Sequence, residues 1–104
     1  MRIQFLYWSE CPSHEDALDR LMEILAEEEA EGDLETIEVA SQEEAEDLQF
    51  IGSPTIRIEG EDIDPEGLRG QPCRLASRAY RQPDGSVTAL PPESLIRAAI
   101  HKHM

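Results

Sequence analysis

Residues 7–21 read YWSECPSHEDALDRL, and in that run Cys11 is followed three positions later by His14. A thiol becomes a nucleophile or a soft-metal ligand only as its thiolate. A nearby imidazole can accept the thiol proton or, once protonated, stabilise the anion. The chain holds one other cysteine, Cys73. Two cysteines are too few for a disulfide scaffold, and Cys11 with His14 supplies only part of the ligand set of a zinc site. Each residue also has a plainer reading: Cys11 as a small apolar filler, His14 as an exposed residue on a first helical turn, Cys73 as a half-buried strand residue. Pro54, in the run GSPTI, stands where a cis bond can occur, although a trans proline opening a strand would read the same way.

The elements that must position these residues are marked by hydrophobic period. Residues 2–8 are extended, with Ile3, Phe5 and Tyr7 on one face and Leu6 and Trp8 on the other, the pattern of an inner strand covered on both sides. Over residues 13–30, Ala17, Leu18, Leu21, Met22 and Leu25 recur at three- and four-residue steps, with Ile24 widening the apolar face. That is an amphipathic helix, with Gly32 as its stop. A second strand follows over 33–40, carrying Leu34, Ile37 and Val39. Ser41 with Glu44 is a capping box for a short helix that reaches about Gln49. Residues 55–59 alternate with Ile56 and Ile58 inward, Gly60 turns the chain, and 61–64 pair back as a short strand.

Residues 65–72 read as a loop, 73–81 as an extended stretch, 82–85 as a turn and 87–90 as the second strand of a small hairpin. Pro91-Pro92-Glu93 opens a final helix with Leu95, Ile96, Ala99 and Ile100. This order predicts one α/β domain over residues 1–104, a mixed central sheet flanked by helices. The early strand–helix–strand run requires a parallel pair with a right-handed crossover. The late hairpin is expected to add antiparallel strands to the same sheet.

The formal charge is −14, and Lys102 is the one lysine among nine cationic residues. Such a field repels phosphate backbones, which argues against nucleic acid and anionic membranes as partners. The acids follow helical patterning rather than clustering as ligands, as in 26–33 and 41–47, and read as a solubilising surface. No apolar run approaches the ~20 residues that span a bilayer. The N-terminal stretch alternates like a strand and lacks a small-residue cleavage site. The expected location is the cytoplasm, where thiols stay reduced.

Cys11 thus falls between an inner strand and the first helix. If Pro12 is the first helical residue, the sulfur gains unpaired backbone N–H groups, the positive end of the helix dipole and exposure at the sheet edge. Those features favour thiolate, while Glu10, Glu15, Asp16 and the overall charge favour the neutral thiol.

WSECPSH ahead of a helix and GSPTI entering a hairpin about forty residues later together resemble the thioredoxin superfamily. The likeness covers residues 2–64 and the last helix, while 65–90 reads as an extra hairpin and loop insert. IEGEDID is similar to the glutaredoxin-type hairpin. More narrowly, the chain resembles small bacterial thioredoxin-like proteins, some labelled alkylmercury lyases. The resemblance implies that Cys11 is the nucleophile and that Pro54 is a cis proline facing it. Ser53 would offer backbone hydrogen bonds to a bound thiol compound, with Trp8, Pro12 and Thr55 completing the binding surface. His14 occupies the position of the second cysteine, so the adjacent-thiol disulfide of that family cannot form.

The expected function is therefore single-cysteine thiol–disulfide chemistry, with no resident cofactor and no metal. Cys11, assisted by His14, would exchange with a small thiol or a protein disulfide, and glutathione, another low-molecular thiol or Cys73 would resolve the product. Two other classes stay open. One is a soft-metal protein holding mercury or copper on Cys11 and Cys73, alone or with His14, or an organomercurial-cleaving relative with Glu10, Asp62 or Asp64 as proton donor. The other is a non-catalytic adaptor of the same fold. Residues 101–103 (HKH) read as a frayed helix end.

Overall fold

The computed structural model describes residues 1–104. Its elements run β1 (Arg2–Tyr7), α1 (His14–Glu27), β2 (Asp33–Glu38), α2 (Gln42–Asp47), β3 (Thr55–Ile58), β4 (Glu61–Asp62), a 3-10 turn (Pro65–Leu68), β5 (Tyr80–Arg81), β6 (Val87–Thr88) and α3 (Glu93–Lys102). Four strands form one mixed sheet in the order β2-β1-β3-β4. β1 and β2 are parallel, with Leu6 beside Ile37. β3 lies antiparallel to β1, with Phe5 opposite Ile56, and β4 returns antiparallel to β3.

The alternation along β1 sorts the core into two layers. Ile3 and Phe5 meet Ala17, Leu21 and Ile24 of α1, Ile56 and Ile58 of β3, and Ile96 and Ile100 of α3. Leu6 points the other way, to Val39, Phe50 and Ala45 of α2, with Trp8 packed beside them. So α1 and α3 cover one face of the sheet and α2 covers the other. Each fully buried Leu, Ile or Phe contributes about 1.5–3 kcal/mol of transfer free energy. β1, buried on both faces, is the rigid floor from which the chain leaves toward Cys11.

Helix ends follow local chemistry. The Ser41 hydroxyl accepts from the Glu44 N–H at 3.1 Å, and the Glu44 carboxylate accepts from the Ala40 N–H at 3.1 Å. This is the expected capping box, reaching one residue further back than usual. α1 is shorter than its pattern suggested. Its N-cap is Ser13 and its C-cap is Glu28, after which Glu29 adopts a left-handed φ of 51°. The helix is stopped by that reversal, ahead of Gly32. Gly32 has a different use: a Cβ there would lie 2.6 Å from the Met1 carbonyl oxygen, so glycine admits the start of the chain alongside β2.

The late hairpin departs from expectation. β5 and β6 pair with each other as a separate two-stranded sheet. The edge they would have joined ends at Asp62, whose carboxylate accepts from the Asp64 N–H at 2.7 Å and turns the chain away after two strand residues. Residues 73–79 make no ladder, only an isolated parallel bridge between Ser53 and Ser77. No helix is long and apolar enough to cross a membrane.

Candidate functional site

Cys11 lies in the turn between β1 and α1. Its N–H donates to the Trp8 carbonyl at 2.9 Å, and the Trp8 N–H in turn donates to the Ser53 hydroxyl at 3.0 Å. The end of β1 and the Ser53-Pro54 turn are thereby tied together. The Ser53-Pro54 peptide is cis. The Cys11 thiol donates to the Ser53 carbonyl at 3.4 Å, and the Ser77 hydroxyl donates to the Cys11 sulfur at 3.7 Å. Thr55 stands behind this turn, its hydroxyl donating to the Gly52 carbonyl at 2.7 Å. Pro12 is exposed beside the cysteine and Trp8 is half-buried.

Two expectations about the sulfur are corrected. Cys11 is 1% exposed, so it is not open at the sheet edge. Because α1 begins at His14 rather than Pro12, the thiol is set back from the helix end, and its partners are a carbonyl and a hydroxyl rather than helix N–H groups. His14 makes no hydrogen bond to the sulfur. Its Nδ1 lies 2.7 Å from the Cys11 carbonyl oxygen, and since a carbonyl only accepts, Nδ1 carries the proton. The ring stacks on Tyr7 with centroids 4.9 Å apart. His14 therefore braces the turn that presents Cys11.

Cys73 is free and half-buried, as Cys11 is free and buried. Its carbonyl accepts from the Gln42 side chain at 2.8 Å, and the next N–H, of Arg74, donates to the Phe50 carbonyl at 3.0 Å. From this region of the chain it is Ser77, four positions further on, that meets the Cys11 sulfur. Of the sequence-derived residues, the fold brings Trp8, Cys11, Pro12, His14, Ser53, Pro54 and Thr55 into one neighbourhood. No hydrogen bond links Cys73 to that group.

Four residues of the site carried no functional reading in the sequence: Ser77, Arg78, Tyr80 and Gly52. Arg78 makes a two-pronged ion pair with Asp62, at 2.8 and 2.9 Å, with both side chains almost fully buried. It also donates to the Thr55 hydroxyl at 3.3 Å and the Asp64 carbonyl at 3.1 Å. Burial by itself would lower the guanidinium pKa, but the Asp62 hydrogen bonds and the charges around it hold it above the ordinary value. The cation sits 4.6 Å over the Tyr80 ring, a further stabilising contact. Burial pushes the Tyr80 phenol far above its usual range, so it stays a neutral donor, bonded to the Pro54 carbonyl at 2.6 Å. The i, i+2 spacing of Arg78 and Tyr80 in an extended stretch was the one sequence signal, since it puts both on one face. Asp62, a candidate proton donor in the sequence, is instead committed to Arg78. No protein-family model, curated protein or solved structure matches the chain.

Proposed function

We propose that the protein is a thiol–disulfide oxidoreductase of thioredoxin-like architecture that works through Cys11 alone. One observation carries this reading: the Cys11 sulfur is held at the β1–α1 junction against the Ser53-Pro54 turn, in a CPSH run with no second thiol. The sheet order β2-β1-β3-β4, with β1 and β2 parallel and β3 and β4 antiparallel, is compatible with that architecture.

The chemistry is an exchange of sulfur bonds. The Cys11 thiolate attacks one sulfur of a disulfide, the S–S bond breaks, and the departing thiolate takes up a proton. A second thiol, glutathione or another low-molecular thiol, then attacks the Cys11 mixed disulfide and restores the free cysteine. His14 keeps the turn in place, and Trp8 and Pro12 flank the approach.

The test is peptide mass spectrometry after mild oxidation with glutathione present, beside an exchange assay on a mixed-disulfide substrate. A glutathione adduct on Cys11 and loss of exchange in Cys11→Ser support the reading. A Cys11–Cys73 disulfide would make Cys73 the resolving thiol and overturn the single-cysteine part of the reading. Full exchange activity in Cys11→Ser would overturn it.

A further inference from the structure

Cys11 is buried under a piece of its own chain. Residues 74–80 run past the Ser53 turn, bending at Leu75 and Ala76, and meet it through an isolated parallel bridge at Ser77. The Ser53 N–H donates to the Ala76 carbonyl at 2.8 Å, and the Arg78 N–H donates to the Ser53 carbonyl at 2.8 Å. Between these two bonds Ser77 is set against the Cys11 sulfur. Ser77 is exposed while Cys11 is not, so Ser77 forms part of the outer cover of the thiol. Gly52 is built for this approach: a Cβ there would lie 2.9 Å from the Arg78 Cα, closer than real side chains come.

The segment is fastened at a few points rather than along a packed face. Of residues 74–80, only Arg78 and Tyr80 are buried, and Leu75 packs at the margin of the α2 layer. Arg74, Arg78 and Ala79 also line a cavity of about 220 Å³, together with Ile51, Gly67 and Arg69. What holds the segment is one fully buried aromatic ring, Tyr80, and a series of polar fastenings: the two Ser53 bonds, the Arg74–Phe50 bond, the Arg78 bonds to Asp62, Thr55 and Asp64, and the Tyr80–Pro54 bond. Elements with few buried apolar contacts open locally at a fraction of the free energy of global unfolding.

We propose that residues 74–80 are a strap closed over Cys11, and that the reactivity of this thiol is set by the strap's opening. While the strap is down, the N–H and C=O of Ser53 are both occupied and the sulfur is shielded. Any reagent or substrate of Cys11 must therefore act on the opened form. The inference gives the thiol of the proposed oxidoreductase a built-in gate, but it concerns accessibility and stands apart from turnover.

The test is pulse alkylation of the native protein with iodoacetamide, read separately at Cys11 and Cys73 by peptide mass spectrometry. Hydrogen exchange of the Arg78 amide is followed in parallel. Wild-type Cys11 should react far more slowly than in the urea-unfolded chain, with a protection that matches that of the Arg78 amide. Tyr80→Phe, which removes one hydrogen bond of the usual net strength, should raise the Cys11 rate about fivefold. Gly52→Ala, which drives a Cβ into the strap backbone, should raise it about tenfold or more. Exchange at Phe5 and Ile56 in the central strands should stay unchanged, marking the opening as local. Cys11 alkylation as fast as in the unfolded chain would overturn the strap. So would acceleration in the variants that only tracks exchange at Phe5 and Ile56. If Cys11 is gated but catalyses no disulfide exchange, the proposed function fails and the strap stands. If exchange is rapid and alkylation of the native protein is unprotected, the strap fails and the proposed function stands.

Discussion

The molecule contains two clusters of opposite charge built around an arginine, and they do different work. Arg78 and Asp62 lie inside, 2% and 3% exposed, and join the strap to the end of β4. Arg97 lies on the surface between α1 and α3, pairing with Glu28 at 2.7 Å, with Glu27, and more loosely with Glu93 at 3.7 Å. His101 adds a contact to Glu28 at 2.7 Å. The surface cluster closes a contact that apolar packing already makes, because Ile24, Ile96 and Ile100 share one core layer beneath it. The buried pair closes a contact that one buried ring, Tyr80, supports rather than a packed layer. A buried ion pair is a poor source of net stability, yet removing one partner is severe. Its use here is geometric: it fixes where residues 74–80 lie, and so what sits on Cys11.

The largest expected effect comes from breaking the inner pair on one side. Asp62→Ala leaves a buried guanidinium without its carboxylate, a change that typically costs about 3–5 kcal/mol. Arg78 Nε already has no partner, so little rearrangement is open to it. Urea denaturation should show that loss. The double replacement Asp62→Leu with Arg78→Met sharpens the comparison. It should recover most of the stability, since replacing both partners by apolar side chains is often neutral. Cys11 alkylation should nevertheless stay faster than in the wild type, because the directional tie of the strap is gone. Wild-type Cys11 protection in the double variant would show that the pair contributes nothing to closure.

The inner pair also marks the limit of what the sequence discloses. The two-faced pattern of β1, the period of α1 and the Ser41–Glu44 box all report on neighbours close in the chain or on one repeating face, and the structure carries each of them. The vicinity of Cys11 to Ser53 and Pro54 came through resemblance of two short motifs, and the geometry joins those residues. The strap left no such trace. Ser77 reaches Cys11 across 66 positions and Arg78 reaches Asp62 across 16. Beyond the i, i+2 spacing of Arg78 and Tyr80, a segment that pairs through isolated backbone bonds has no period to detect. The burial of Cys11 was hidden for the same reason, since its cover belongs to residues 73–81, which read as an extended stretch with nothing to say what it lies against. The hairpin went astray because two short strands alternate alike whether they extend a sheet or stand alone.

The outer cluster should respond weakly, and mostly to salt. Arg97→Ala removes all three carboxylate contacts at once, but Glu27 and Glu93 are exposed and Arg97 and Glu28 keep partial contact with solvent, and surface pairs of this kind have small effects. The loss seen by thermal melting should be well below that of Asp62→Ala. It should shrink further between low and high ionic strength, as screening shortens the reach of the charges. Asp62→Ala should be nearly indifferent to salt, its partner being shielded from ions by burial. Equal salt sensitivity of the two variants would dissolve the distinction between the clusters.

The smallest effect is a pH signature of the same cluster. The His101 hydrogen bond, then that of Arg97, lowers the Glu28 pKa below its ordinary value of 4.5. A carboxylate whose folded pKa is depressed contributes stability that is fully present above its unfolded pKa and is lost as pH falls through the folded value. The contribution of Glu28 is therefore complete at neutral pH and fades below about pH 4.5. Glu28→Gln should be less stable than the wild type near neutrality, with the gap closing on acidification. The variant keeps part of the acid dependence, because Lys102 holds Glu61 low through a hydrogen bond and Ser86 does the same for Asp84. What should vanish is only the Glu28 share, visible as a shallower slope of melting temperature against pH on the acid side. A gap that stays constant from neutral pH into acid would mean that Glu28 acts by packing between α1 and α3, and that the outer cluster holds those helices by shape rather than by charge.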